Sequence, residues 1–285
     1  PELEALGVKS NATCRQVMDR LTRQYDGYRF TKDEEFTSMY NPFSVLSALQ
    51  KRSYGNYWFA SGTPTFLVEM LQKTDFDLRE MEGIEVNEAS LSDDRADINN
   101  PIPMIYQSGY LTIKDYDERF RMYTLGFPNE EVKYGFLNFV SPFYTPIAQT
   151  DTSFYIGKFI RELESGDVDA FLTRLRCFFV GIPYDLNDRT ERHYQTVFYL
   201  VFQLMGQFTE TEVRSARGRA DAVVKTPDYI YVFEFKLNDS AEAALRQIDE
   251  KGYLLPYQAD GRKVVKVGVA FEKEERNIGE WVIGE

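Results

Sequence analysis

Two short phrases hold the side chains best suited to chemistry. They are Gly218-Arg219-Ala220-Asp221 and, thirteen residues after the aspartate, Glu234-Phe235-Lys236. Side chains alternate along a strand, so Glu234 and Lys236 share one face while Phe233, Phe235 and Leu237 take the other. Thr226-Pro227-Asp228, between the phrases, is turn chemistry. If that turn pairs Lys225 with Ile230, residue numbers across the ladder sum to 455 and Asp221 faces Glu234. Adjacent carboxylates repel, and burying them beside a single lysine costs stability. A divalent cation offsets that cost, because two carboxylates with substrate phosphate and waters form an ordinary Mg²⁺ site, and Mn²⁺ takes similar ligands. A lysine one strand step away can position a water, help it deprotonate, or stabilise a pentacovalent phosphate. These residues suit hydrolysis of a phosphodiester in DNA or RNA.

Arg214, Arg217 and Arg219 fall within six residues, just before Asp221. On a hairpin they would form a cationic lip that captures a nucleic-acid backbone; the competing role is pairing with Glu210 and Glu212. Composition narrows the alternatives. The 285 residues carry a formal charge of −12 with one histidine and two cysteines. A lone histidine, His193, excludes multi-histidine zinc and iron sites and leaves oxygen ligands. Cys14 and Cys177 cannot form a disulfide framework and are expected as buried thiols in a reducing, cytoplasmic setting. No run approaches the roughly 20 apolar residues that span a bilayer, so no membrane partner is expected. The acidic balance opposes tight non-specific binding of nucleic acid unless the cations are concentrated.

The elements that must position this chemistry can be read from pattern. Asp188 to Leu204 predicts a long helix, followed by strands at 208–215, 220–225 and 229–237, a helix at 240–251 and a strand at 264–271. That order, αβββαβ, predicts a sandwich around a mixed sheet. The first half reads as helical. Val17, Leu21 and Tyr25 line one helix face, Asn41-Pro42 and Ser61-Gly62-Thr63-Pro64 start two more helices, and 101–110 and 128–140 add others. Between the last two, 110–114 and 120–125 predict a hairpin, giving a winged-helix-like arrangement. Ser141-Pro142, Thr145-Pro146 and the polar Gln149-Thr150-Asp151-Thr152 place a boundary near 145–152, with domains 1–150 and 151–285.

Asp221 with Glu234-Phe235-Lys236, set on consecutive strands and followed by a helix, resembles the PD-(D/E)XK nuclease superfamily. A closer resemblance is to bacterial, Bacteroides-type proteins that join an AAA-ATPase-like region to a C-terminal nuclease-like domain. It is carried by Tyr25-Asp26-Gly27-Tyr28-Arg29-Phe30, Tyr40-Asn41-Pro42-Phe43-Ser44-Val45 and Gly126-Phe127-Pro128-Asn129-Glu130-Glu131-Val132, with Gln247-Ile248 and Lys251-Gly252-Tyr253 after the nuclease core. The resemblance implies a restriction-endonuclease-like sandwich (α/β, α+β overall) and Mg²⁺- or Mn²⁺-dependent nuclease activity. The substrate it implies is nucleic acid, DNA in preference to RNA. It implies that Asp221 and Glu234 hold the metal, that the Phe235 main-chain carbonyl adds a ligand and that Lys236 acts on the water. Glu191 matches a helix acid that completes the metal shell, and equally suits a carboxylate favoured at a helix N-terminus. Gln247 matches an accessory helix glutamine, although its tyrosine, Tyr253, follows after six positions instead of four. No G-x-x-x-x-G-K-[ST] phosphate loop occurs, so an ATPase region would lie N-terminal to these residues. The rival class is a catalytically silent nuclease fold that binds nucleic acid or a protein partner within a larger ATPase-containing protein.

Overall fold

A computed structural model describes residues 4, 7, 13–33, 37–61, 67, 70–71, 76–92, 100–145, 148, 151–180, 191–213, 220–237, 239–272 and 277–284, with backbone alone at 60–61, 180, 191–194 and 212–213. The chain divides into two compact units, Pro1–Phe136 and Leu137–Glu285. The domain boundary expected at 150/151 lies further along the chain than this division.

In the first unit, Thr13 and Gln16 form a capping box on helix α1 (Cys14–Tyr25), and Val17, Leu21 and Tyr25 are its buried stripe. Asn41 caps α2 (Pro42–Lys51), its side-chain oxygen accepting from the Phe43 and Ser44 amides at 3.1 and 3.2 Å. Helices α3 (Ile102–Gln107) and α4 (Glu130–Val140) fall where the pattern placed them. The expected hairpin is present as β2 (Thr112–Asp117) and β3 (Met122–Gly126), but β1 (Ile84–Asn87) pairs with the far side of β3. The sheet is therefore three-stranded and antiparallel, in the order β1-β3-β2. The helix start proposed at Ser61-Gly62-Thr63-Pro64 lies, after Ser61, outside the described residues. Gly27 has φ +112° and a Cβ there would sit 2.0 Å from the Pro128 carbonyl oxygen, while the Asn41 amide donates to Tyr25 O at 2.8 Å. The three phrases singled out in this half thus meet in space.

The second unit begins within α4, at Leu137, and continues with α5 (Thr152–Glu164) and α6 (Val168–Val180), two helices beyond those the sequence pattern predicts. Then follow α7 (Glu191–Met205), β4 (Glu210–Val213), β5 (Ala222–Lys225), β6 (Tyr229–Lys236), α8 (Ala241–Glu250), β7 (Lys263–Glu272) and β8 (Asn277–Gly284). The αβββαβ order stands, with β8 as an unforeseen fifth strand. The sheet order is β4-β5-β6-β7-β8, parallel only between β6 and β7. The central strand β6 is buried from Ile230 to Glu234, as a strand covered on both faces must be. Tyr231, Phe233 and Phe235 face Phe171, Phe198 and Phe202 of α6 and α7, and the Tyr231 hydroxyl donates to Leu163 O at 2.6 Å. Val223, Ile230 and Val232 pack on the opposite face with Ile248 of α8 and Tyr253.

Both cysteines are exposed, against the expectation of buried thiols. Cys177 sits off the α6 stripe formed by Phe171, Leu175 and Phe178, and Cys14 is the first residue of α1, ahead of its stripe. No helix among the described residues is long and apolar enough to cross a membrane.

Candidate active site

The site rests on the turn that sets the β5–β6 register. The Thr226 amide donates to Tyr229 O at 2.8 Å, and Lys225 pairs with Ile230 and Ala222 with Phe233. This is the 455 ladder expected from the turn, and it brings Asp221, one residue before β5, beside the end of β6. The Phe235 amide donates to Asp221 Oδ2 at 2.9 Å. Glu234 and Lys236 leave β6 on the face covered by α8, and Lys236 Nζ lies 3.4 Å from Glu234 Oε1.

A glycine on the neighbouring strand lets α8 come close. Gly268 pairs with Glu234 across β6 and β7, and a Cβ there would lie 2.2 Å from Ala241 O and 3.0 Å from Leu245 N. No other residue admits the helix backbone at that distance. Ser240 caps α8 through the Ala243 amide, and Gln247 then projects onto the pair. Its amide nitrogen donates to Glu234 Oε1 and its oxygen accepts from Lys236 Nζ at 2.5 Å. The result is a closed ring of Glu234, Lys236 and Gln247.

Electrostatics set the site apart from an ordinary ion pair. Glu234 is 3% exposed, and its Oε2 has no hydrogen-bond partner. Burial first, and the Asp221 charge second, push its carboxyl up to about 7, although Lys236 and the Asp221 main-chain amide pull the other way. Burial also raises Asp221, opposed by the Phe235 amide and by Lys236. Two carboxylates are thus held together at a cost that a cation would remove. The donors are hard oxygens, and one buried carboxylate oxygen is unused, which fits Mg²⁺ or Mn²⁺. Among the described residues no group of three or more Asp, Glu, His or Cys could hold a metal. Two carboxylates completed by phosphate and water are an ordinary complement for Mg²⁺.

Asp221, Glu234, Phe235, Lys236 and Gln247 are therefore brought together. Glu191 opens α7, but its side chain is outside the described set, and Arg214, Arg217 and Arg219 lie outside the described residues altogether. Tyr253, set aside on its spacing, does reach the site. It is buried, and burial raises its hydroxyl first; the Gln247 side chain opposes this, and the Glu234 and Asp221 charges add to it. Helix α8 stops at Glu250, and the turn after it, in which the Tyr253 amide donates to Ile248 O at 3.1 Å, brings the ring back. Gly268 was also missed, although a glycine inside the valine-rich strand Val264 to Phe271 signals close backbone approach.

Comparison with known proteins agrees with this geometry. Residues 189–281 match the family model of the PD-(D/E)XK nuclease superfamily, and this segment is a domain of that superfamily. The chain is also 31% identical over 274 residues to an "Uncharacterized protein in vnfD 5'region" of Azotobacter chroococcum mcd 1, covering 93% of this chain and 52% of that protein. The chain thus spans about half the length of the curated relative it matches. No solved structure matches the chain.

Proposed function

We propose that the second unit is a metal-dependent nuclease, hydrolysing phosphodiesters of nucleic acid, DNA in preference to RNA. One observation carries this: Glu234 Oε2 is buried and unpartnered beside Asp221, in the segment that matches a nuclease superfamily. Asp221 and Glu234 would hold Mg²⁺ or Mn²⁺, with the Phe235 carbonyl and Glu191 as further ligands. Bound there, the metal supplies Lewis-acid polarisation of the phosphate and a more acidic water. Gln247 holds Glu234 Oε1 and so leaves Oε2 for the metal. Lys236, fixed by Gln247 and Glu234, presents its ammonium to the attacking water or to charge developing on phosphorus. Arg214, Arg217 and Arg219 would grip the backbone against the chain's negative field.

The region 1–150 we assign as a winged-helix-like, distal part of an AAA-ATPase-like protein, with the ATPase region itself N-terminal to these residues and the nuclease domain at 151–285. The match to a relative of about twice this length leaves room for a further region, and a cytoplasmic location goes with that reading. The test is cleavage of single- and double-stranded DNA and RNA by the purified chain with Mn²⁺. Asp221→Ala and Lys236→Ala should each abolish metal-dependent cutting while circular dichroism stays unchanged. Cutting that survives Lys236→Ala overturns the assignment. Binding of nucleic acid with neither Mn²⁺ binding nor cleavage identifies the catalytically silent module instead.

A further inference from the structure

Helix α2 packs Val45 and Leu49 partly buried against the first unit's core but turns Phe43 and Leu46 outward. Its inward positions Ser44 and Ala48 are small and fully buried, whereas Phe43 is 56% and Leu46 66% exposed. Met39, 53% exposed, and Tyr40 precede the helix on the same stretch of chain. The Tyr40 hydroxyl meets Thr22 Oγ1 of α1 at 2.6 Å, and Thr22 Oγ1 also donates to the carbonyl of Met18, another exposed residue. The patch therefore runs from α2 onto α1. From Thr37 to Gln50 the chain has no charged residue, although 27% of all its residues are charged.

An exposed, charge-free cluster of Met, Tyr, Phe and Leu has the composition of an interface core. Its apolar area is on the order of 500 Å², at the upper end of what a monomer leaves in water. Two such faces pressed together bury roughly 1,000 Å², the lower bound for a specific interface. Charge decides the occupant. The patch has nothing with which to attract a charged partner, and a chain at −12 repels its own copies everywhere except at a face without charge. Antiparallel α2 helices also oppose their dipoles.

We propose that this face of the first unit is the contact of a two-fold homodimer, α2 packing antiparallel on α2 with Phe43 of one copy against Leu46 of the other. The inference is independent of the nuclease assignment. The test is sedimentation velocity of the full chain across a concentration series. The wild type should show a monomer–dimer equilibrium. Leu46→Glu should weaken it by on the order of a hundredfold, since each dimer would bury two unpaired carboxylates. Leu255→Glu, at an exposed leucine of the second unit, should leave it unchanged. A second experiment does not depend on the acidic variant folding. Leu46→Cys, with Cys14→Ser and Cys177→Ser, should be captured as a covalent dimer by a short bismaleimide. A chain that stays monomeric, or a Leu46→Glu variant that dimerises like the wild type, overturns the proposal. So does a failure to cross-link, in which case some other protein covers the face.

Discussion

Replacing Glu234 by Gln should make the metal-free protein more stable, and only at high pH. The amide keeps the shape and leaves an oxygen to accept from Gln247 and Lys236, as Oε1 does now. What it removes is a charge that the site disfavours. Moving a carboxyl from its ordinary 4.5 to about 7 corresponds to about 3 kcal/mol against the ionised form. Because the folded-state value is the raised one, the folded protein keeps a proton between pH 4.5 and 7 that the unfolded chain has already lost. Stability therefore falls as pH rises through that window, and the whole penalty is present above 7. Glu234→Gln should gain about 3 kcal/mol at pH 8.5 and below about 1 kcal/mol at pH 5. Scanning calorimetry of both proteins at the two pH values, with chelator and then with Mn²⁺, measures this. Mn²⁺ should raise the melting temperature of the wild type and leave the variant unmoved. A variant no more stable than wild type at pH 8.5 without metal would refute the electrostatic account. A variant stabilised by Mn²⁺ as strongly as wild type would remove Glu234 from the metal site.

Mn²⁺ affinity should climb about tenfold per pH unit up to pH 7 and level off above it, because the metal must displace the Glu234 proton. Titration calorimetry in buffers of different ionisation enthalpy reads both the affinity and the proton released, and a flat profile from 5.5 to 7.5 would contradict it. Gly268→Ala should lower the urea midpoint by the equivalent of about 1–3 kcal/mol and weaken Mn²⁺ binding, since the added Cβ meets the α8 backbone at Ala241 O and forces away the helix that carries Gln247. An unchanged midpoint would show that α8 does not depend on that close approach.

What could be read from the sequence is what local chemistry determines. The Asn41 cap, the α1 stripe and the turn at Thr226-Pro227-Asp228 each act within a few residues, and the turn alone sets a register that carries Asp221 to Glu234. The missed elements have ambiguous local signals. Phe154-Tyr155-Ile156 at the start of α5 is a β-favouring run, although Ile156, Phe159, Ile160 and Leu163 keep the helical period. Strand β1 has four residues and follows Gly83 at φ +87°, too short for alternation to register. In β8 the pattern is interrupted by Gly279, and its pairing with β7 carries a bulge between Ala270 and Phe271. Tyr253 was lost for another reason. Its distance from the site depends on where α8 stops, and helix ends are the least determined feature of a periodic pattern.

The energetic cost of the site bears on its meaning. Glu234 occupies a central strand position whose neighbours along β6 are apolar, and Phe233 and Phe235 on the other face already stack on α7. An apolar residue at 234 would fill the same space under α8 without the Asp221 repulsion or the unpartnered Oε2. Gln247 does not relieve the strain, because it bonds the oxygen that Lys236 already reaches and leaves the other bare. A network designed only to hold the fold would satisfy both oxygens. The arrangement instead leaves one buried carboxylate oxygen without a hydrogen-bond partner, next to a second carboxylate and the Asp221 main chain. A metal ion bound as proposed would draw on that asymmetry, so saturating Mn²⁺ should narrow the stability advantage of Glu234→Gln over the wild type.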